Sequence, residues 1–176
     1  GLNQEFDASY EKNGEFATAL STLSLFSDLK KEMEDSGKEV GAGVEIFRGE
    51  EKKCQCSFAS GVLYDCCKKM SGLAVSAYLA RCNSEEQSLA EQRHAGKCHY
   101  IGSKKEQLGT QTTRVFCCFP TKLAKILHEE GRKQLRIDWG DVDQPQCRGF
   151  SLEEVQQIDL TKIDFSDAIE DISIDK

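Results

Sequence analysis

The fold of this chain is decided by the stretch TRVFCCFPTKL, residues 113–123. Its first four residues, up to Phe116, are β-branched, aromatic and polar types that favour a short strand, and Pro120 opens a helix. Between the two elements lie Cys117 and Cys118. Adjacent cysteines are badly placed to bond to each other, because trans neighbours hold their Cα atoms ~3.8 Å apart and a disulfide prefers ~5.5–6 Å. We therefore predict a strand and a helix that meet at a junction with two separate cysteine partners.

Cysteine usage separates an exported domain from a cytosolic enzyme. The chain has nine cysteines among 176 residues, at Cys54, Cys56, Cys66, Cys67, Cys82, Cys98, Cys117, Cys118 and Cys147. This density is typical of a disulfide framework in an oxidising compartment. No C-x-x-C motif, the usual mark of a zinc or iron–sulfur site, occurs in the sequence. We therefore predict up to four disulfides and a location outside the reducing cytosol.

The pairing of these cysteines stays open. Cys66 and Cys67 form a second adjacent pair, which must also send its sulfurs to different partners. Even eight cysteines allow about 105 connectivities, so we assign none. The odd count leaves one thiol over, and we expect it at Cys54 or Cys56. Its functional interpretation is an intermolecular disulfide or a reactive thiol, and its ordinary interpretation is an unpaired cysteine with no special role.

Local signals predict an α+β fold, a small disulfide-rich domain with about four helices and short antiparallel strands. Two β-rich runs, His99–Gly102 and Thr113–Phe116, predict a hairpin across a polar, glycine-containing connection. Val44–Phe47 is a third short β-like run, which ends at Arg48-Gly49-Glu50. A fourth extended segment is predicted around Gly61–Tyr64.

Periodicity and capping signals predict the helices. They are about Glu15–Glu34, Gly72–Arg81, Glu85 to about Ala95, the helix opened by Pro120-Thr121 and a helix that begins after Ser151. Ser84 with Gln87, and Ser151 with Glu154, have the spacing of capping boxes. Gly131 interrupts the fourth helix and costs about 1 kcal/mol relative to alanine unless close packing requires it.

The cysteines and charges divide the chain into three parts. We predict an N-terminal amphipathic helical segment over 1–43, a disulfide-stapled core over 44–149 and an acidic helical segment over 150–176. Residues 97–136 contain nine Lys or Arg against three Glu, whereas residues 150–176 contain eight acidic residues against two Lys. Because the net charge is −7, we expect either that the acidic segment packs back over the basic stretch or that both are solvated faces, and we expect no nucleic-acid partner.

Membrane spans, targeting signals and enzymatic motifs are missing from the sequence. No stretch approaches the ~20 apolar residues of a membrane span. The first residues, GLNQE, lack the features of a secretory signal, so an exported chain would carry its signal upstream. His94, His99 and His128 could pair with a cysteine as a nucleophile site, or His94 and His99 with Cys98 as part of a zinc site, but no known motif frames them. We therefore expect no catalytic residue, no cofactor and no metal.

The order of these motifs resembles the TraN family of conjugative mating-pair stabilisation proteins. The resemblance lies in Ile46-Phe47-Arg48-Gly49-Glu50, Asp65-Cys66-Cys67-Lys68, Gly96-Lys97-Cys98-His99-Tyr100-Ile101-Gly102, Cys117-Cys118-Phe119-Pro120-Thr121 and Cys147-Arg148-Gly149. From about Val44 to Asp171 the order and spacing are similar to the C-terminal, cysteine-rich region of that family. Between Ser103 and Thr113, where the family commonly has two more cysteines, this chain has none.

The resemblance implies a structural and adhesive function without chemistry. It implies the base region of a component of a conjugative type IV secretion system, at the outer membrane, periplasm or cell surface. Its partners would be other outer-membrane proteins of the apparatus and, through upstream regions, a recipient outer-membrane receptor. A self-standing secreted, disulfide-rich binding module is the alternative, followed by a thiol- or zinc-dependent enzyme.

Overall fold

A computed structural model describes residues 45–57, 64–72, 80–107 and 109–168, with the single residues 27, 43 and 75. Its regular elements, in chain order, are strand β1 (Glu50–Ser57), helix α1 (Ser84–His94), strands β2 (Cys98–Lys105) and β3 (Gln111–Cys118), helices α2 (Lys122–Leu135) and α3 (Leu152–Gln157), and a 3₁₀ turn (Leu160–Lys162). This is the small disulfide-rich α+β domain with antiparallel strands that the sequence predicts.

The three strands form one antiparallel sheet in the order β1-β3-β2. The predicted hairpin is confirmed as β2 and β3, with a register shift between Tyr100 and Gly102. Gly102 is needed there, because a Cβ at this position would lie 2.7 Å from Cγ1 of Val142. The hairpin therefore supplies two strands of the sheet, and β3 is the central one.

Strand β1 lies in a stretch for which the sequence predicts no strand. Glu50 was predicted to lie in a breaker, yet it pairs with Cys118 and begins the strand. The predicted run Val44–Phe47 is not a strand in its described residues: Ile46 forms an isolated bridge with Phe150, and Phe47 turns with φ of 56°. A positive φ is costly for a bulky residue, so packing around Phe47 must hold it there.

Helix α1 begins one residue before its predicted start, and its capping box differs from the predicted one. Asn83, not Ser84, accepts from the backbone N–H of Glu86 at 2.8 Å, and Glu86 accepts in return from the backbone N–H of Asn83 at 3.3 Å. The same buried carboxylate accepts from the backbone N–H of Gln55 at 2.9 Å. Glu86 therefore joins the helix start to β1, which makes it the better N3 residue.

Helix α2 lies against the larger of two apolar clusters. The helix starts after Pro120-Thr121, as predicted, and Thr121 caps it by accepting from the N–H of Ala124 at 3.0 Å. Gly131 is required by packing, because a Cβ there would lie 2.7 Å from Cδ1 of Ile158 and 3.2 Å from Cζ of Phe150. The predicted cost of this glycine in the helix is therefore offset by close contact with the C-terminal part of the chain.

The larger cluster draws on residues from both ends of the described chain. Its buried members are Ile46, Phe47, Cys117, Phe119, Leu123, Ala124, Ile126, Leu127, Phe150, Ile158, Ile163, Phe165 and Ala168. A smaller cluster contains Cys54, Cys67, Leu89, Phe116 and Cys118. The capping box of Ser151 and Glu154 is present as predicted and directs the chain after Phe150 back over α2.

Several predicted elements lie outside the described residues. These are all of the helix over about Glu15–Glu34 except residue 27, most of the extended segment around Gly61–Tyr64, and most of the helix over Gly72–Arg81, of which residues 72, 75, 80 and 81 are described and helical. In the part of the chain that the structure describes, none of the helices has the length and apolar character needed to cross a lipid bilayer.

Candidate functional site: two disulfide junctions and a buried thiol

Four disulfides cross-link the domain, and each adjacent cysteine pair serves as a junction. Cys67 bonds to Cys54 and its neighbour Cys66 to Cys82, while Cys118 bonds to Cys98 and its neighbour Cys117 to Cys147. The two junctions have the same design. Within each, one sulfur holds a strand of the sheet and the other reaches a segment elsewhere in the chain, as the geometry of adjacent cysteines requires.

The first junction ties β1 to the start of α1, and the second ties the β2–β3 hairpin to the segment before α3. Their closed loops span 13, 16, 20 and 30 residues. Loops of this size each restrict the unfolded chain by about 3–4 kcal/mol in the chain-entropy model. Because the two loops of a junction overlap, these contributions do not simply add. The cross-links still stabilise the domain on the scale of its whole expected free energy of unfolding.

Cys56 is the ninth cysteine and has no disulfide partner, although all nine cysteines lie in the described part of the chain. It is one of the two residues at which the sequence places the spare thiol. Its side chain is only 2% exposed, and its Sγ donates a weak hydrogen bond to the carbonyl of Thr112 at 3.7 Å. Burial in this fold leaves the thiol out of reach of a second chain, so an intermolecular disulfide is not its function in the folded domain.

Burial also controls the chemistry of this thiol. Loss of solvation raises the pKa of Cys56, the negative charge of Asp65 raises it further, and the positive charges of Arg114 and Lys68 only partly oppose this. A thiol with a raised pKa is mostly protonated at neutral pH and is a poor nucleophile there. Cys56 therefore does not have the environment of a catalytic cysteine.

A possible metal-ligand cluster lies around the same thiol. Among the described residues, the ligand atoms of Cys56, Asp65 and Cys67 lie within 4.8 Å of one another. Cys67 is engaged in a disulfide and cannot supply a thiolate. One thiol and one carboxylate fall short of the four ligands of a structural zinc site, so these residues do not fit such a metal.

The three histidines do not assemble with a cysteine. Cys98, the suggested zinc ligand beside His99, is consumed in a disulfide with Cys118. His99 stacks on Trp139 at 3.8 Å between ring centroids and contacts Glu129 at 2.8 Å through Nδ1, while His94 is exposed on α1. The zinc interpretation therefore lacks its sulfur ligand at this place.

His128 lies at the centre of the larger cluster, fully buried. Its ring stacks between Phe119 and Phe150, with centroid distances of 4.4 and 4.1 Å. Arg132 donates from Nε to its Nδ1 at 3.2 Å, so the ring proton sits on Nε2, which donates to the carbonyl of Phe47 at 2.7 Å. This bond holds the turn in which Phe47 has a positive φ. Burial and the nearby charge of Arg132 lower the pKa of His128 to about 3, and the ring is neutral at physiological pH.

Arg132 joins the histidine to two loops. Besides His128, its guanidinium donates to the carbonyls of Asp138 and Arg148 at 3.0 and 2.8 Å and lies 3.9 Å from the ring centroid of Trp139. Burial and the charge of Arg148 lower the pKa of Arg132 to about 10, so it stays charged at neutral pH. Arg132 was not among the predicted site residues. The spacing of four residues from His128 on one helix face is the signal that points to the pair.

The basic stretch predicted over residues 97–136 is largely neutralised by its neighbours. Lys104 pairs with Asp143 at 2.8 Å, and Lys125 approaches Glu129 to 3.6 Å. Lys133 pairs with Glu130 at 2.7 Å. Because Arg132 of the same stretch is buried, these residues do not form a row of free cations of the kind that binds phosphates.

Comparison with known proteins gives two matches. A family model described as "F-type Type IV secretion system, TraN" matches residues 3–151. The curated "Mating pair stabilization protein TraN" of Escherichia coli (strain K12) is 34% identical over 181 residues, which is 97% of this chain and 28% of that protein. The chain thus spans little more than a quarter of the length of this relative. No solved structure matches.

Proposed function

This chain belongs to the TraN family of F-type type IV secretion systems, and we propose that it is the rigid base region of a protein that stabilises mating pairs during conjugation. Its function is structural and adhesive, without catalysis. The disulfide framework carries the proposal, because four cross-links hold one sheet and its helices in a fixed arrangement outside the reducing cytosol.

The described residues support a scaffold in preference to a reaction site. Eight of the nine cysteines are consumed in disulfides, and the ninth is buried with a raised pKa. The histidine with the most strongly shifted pKa, His128, is enclosed by two phenylalanine rings and satisfied by two hydrogen bonds. These groups therefore supply neither the nucleophile of a thiol-dependent enzyme nor the ligand set of a zinc-dependent one.

We place the domain at the outer membrane, in the periplasm or on the cell surface. Its partners are other outer-membrane proteins of the conjugation apparatus, and contact with a recipient receptor is made by regions upstream of the described domain. No nucleic-acid partner and no cofactor are proposed. A self-standing secreted binding module remains the second candidate, since a cross-linked scaffold serves either function equally well.

The test removes one junction bridge from the full-length protein. Donor cells without their own copy are complemented with the wild-type gene or with the double variant Cys117→Ser/Cys147→Ser, and transfer is measured in shaken liquid and on a filter. We expect the double variant to lose transfer in liquid, where cell pairs must withstand shear, and to lose much less on the filter. The matched control is Lys104→Ala, which breaks only an exposed ion pair of the hairpin.

Protein level and location complete the test. Each variant is quantified by immunoblot in the outer-membrane, periplasmic and medium fractions. Undiminished transfer in liquid by the double variant at wild-type protein level would contradict a scaffold function of the junction. Recovery of the wild-type protein free in the medium, with none in the envelope fractions, would favour the secreted module.

A further inference from the structure

The free thiol lies beside a disulfide to which it does not belong. Cys54 and Cys56 are two residues apart on β1, so their side chains point to the same face of the strand. The backbone of Cys56 forms an isolated antiparallel β-bridge with Asp65 on the facing segment. Cys67 lies two residues after Asp65 and is disulfide-bonded to Cys54. The sulfur atoms of Cys56 and Cys67 lie within 4.8 Å of each other.

A free thiol next to the Cys54–Cys67 disulfide has a use during folding, because the two disulfides of this junction cross in the sequence. Cys54–Cys67 and Cys66–Cys82 cross in the sequence, because Cys66 lies inside the loop that the first bridge closes. If oxidation first joined the cysteines that are nearest in sequence, Cys54 or Cys56 would form a disulfide that is absent from the folded domain. Reaching the crossed pairing then requires thiol–disulfide exchange, in which a thiolate attacks a disulfide sulfur.

We propose that Cys56 is an internal exchange thiol of this junction, so that Cys67 can bond to either of the two cysteines of β1. In the exchange step the Cys56 thiol gives up its proton and the resulting thiolate attacks Sγ of Cys67. The Cys56–Cys67 bond forms, the Cys54–Cys67 bond breaks, and Cys54 leaves as a thiolate that takes up a proton. One disulfide and one thiol are present before and after, so the step needs no oxidant or reductant.

The surroundings of Cys56 explain why the native bridge persists once the domain has folded. The buried thiol faces Asp65, Arg114 and Lys68, and burial together with Asp65 keeps it protonated at neutral pH. Exchange is therefore slow in the folded domain and fast while the junction is still open to water. Raising the pH of the folded protein should accelerate it, because more of the attacking thiolate is present.

The first test asks whether Cys56 can replace Cys54. The variant Cys54→Ser of the 176-residue chain retains eight cysteines, one fewer than the nine of the wild type. If Cys56 bonds to Cys67, the oxidised variant has no free thiol. The proposal is overturned if the folded variant has two free thiols, located at Cys56 and Cys67. The matched control, Cys56→Ser, should also have no free thiol and should keep the Cys54–Cys67 bridge.

The second test uses the wild type and does not depend on the folding of a variant. Folded protein is incubated at pH 6 and at pH 9 without added thiol, quenched with acid, denatured and alkylated. Fragment-ion mass spectrometry then locates the label within the peptide that contains both Cys54 and Cys56. We expect label on Cys56 alone at pH 6 and an increasing share on Cys54 at pH 9. Label confined to Cys56 at both pH values overturns the proposal.

Discussion

Acid should destabilise this domain through a single buried histidine. In the unfolded chain the pKa of His128 is about 6.5, and in the folded domain burial and the charge of Arg132 lower it to about 3. Between these two values the unfolded state binds the proton and the folded state does not. The contribution of neutral His128 to stability is therefore complete above the unfolded pKa and is lost progressively as the pH falls towards 3.

The size of the effect follows from the same two pKa values. At pH 5 the unfolded state gains about 2 kcal/mol relative to pH 7.5, and the full difference of 3.5 pH units corresponds to about 5 kcal/mol as an upper limit. Two structural features keep the folded pKa low. The ring is enclosed by Phe119 and Phe150. Its Nδ1 accepts a hydrogen bond from Arg132, so protonation of Nδ1 would remove the accepting lone pair and place a positive ring next to the guanidinium.

The assay is guanidinium unfolding with disulfides intact, followed through the fluorescence of Trp139, the one tryptophan of the chain. This ring lies against the guanidinium of Arg132 and should report the loss of that contact. The test variant is His128→Gln, whose amide can also donate to the carbonyl of Phe47 but does not titrate. The control variant is His94→Gln, on the exposed face of α1.

We expect wild type and the His94→Gln variant to lose about 2 kcal/mol more than the His128→Gln variant between pH 7.5 and pH 5. The decisive quantity is this difference between the proteins, because it cancels the titration of all other groups. Equal losses in the wild type and the His128→Gln variant would refute it, whatever the stability of the variant at pH 7.5.

Two further predictions use the same unfolding assay, and a third uses thermal unfolding of the reduced protein. Gly131→Ala should destabilise by about 1–3 kcal/mol despite the better helix propensity of alanine, because the new Cβ would lie 2.7 Å from Cδ1 of Ile158; a stabilised variant would contradict the packing. Asn83→Ala should lower the free energy of unfolding by about 1 kcal/mol and Ser84→Ala by far less, since Asn83 is the N-cap of α1. A larger loss for Ser84→Ala than for Asn83→Ala would show that Ser84 is the N-cap, as the sequence predicts. Reduction of all four disulfides should lower the midpoint of thermal unfolding strongly, and an unchanged midpoint would show that the cross-links do not hold the fold.

Local chemistry was sufficient to predict the hairpin, the helix starts at Thr121 and Ser151, and the need of each adjacent cysteine pair for two partners. A capping box, a β-rich run and a trans peptide act over a few residues, so their consequences can be read without knowing what packs against them. The density of cysteines was likewise sufficient to predict a disulfide framework, because cysteines are this frequent mainly in cross-linked domains.

Contacts between distant residues decided the rest. The run Glu50–Lys53 is highly charged and lacks strand character by itself, but pairing with β3 makes it the start of β1. Glu86 became the N3 residue of α1 because it also satisfies an N–H of β1, 31 residues away.

The sequence by itself determined that this chain is a disulfide-cross-linked α+β domain with one spare thiol among its nine cysteines. Only the tertiary structure decided that Cys54 takes Cys67, that Cys56 is left buried beside that bond, and that His128 stays neutral between two rings. The reason is physical: a disulfide forms between sulfurs that the sheet brings together, and a pKa follows the solvation and charges around a group. Both are properties of positions in space.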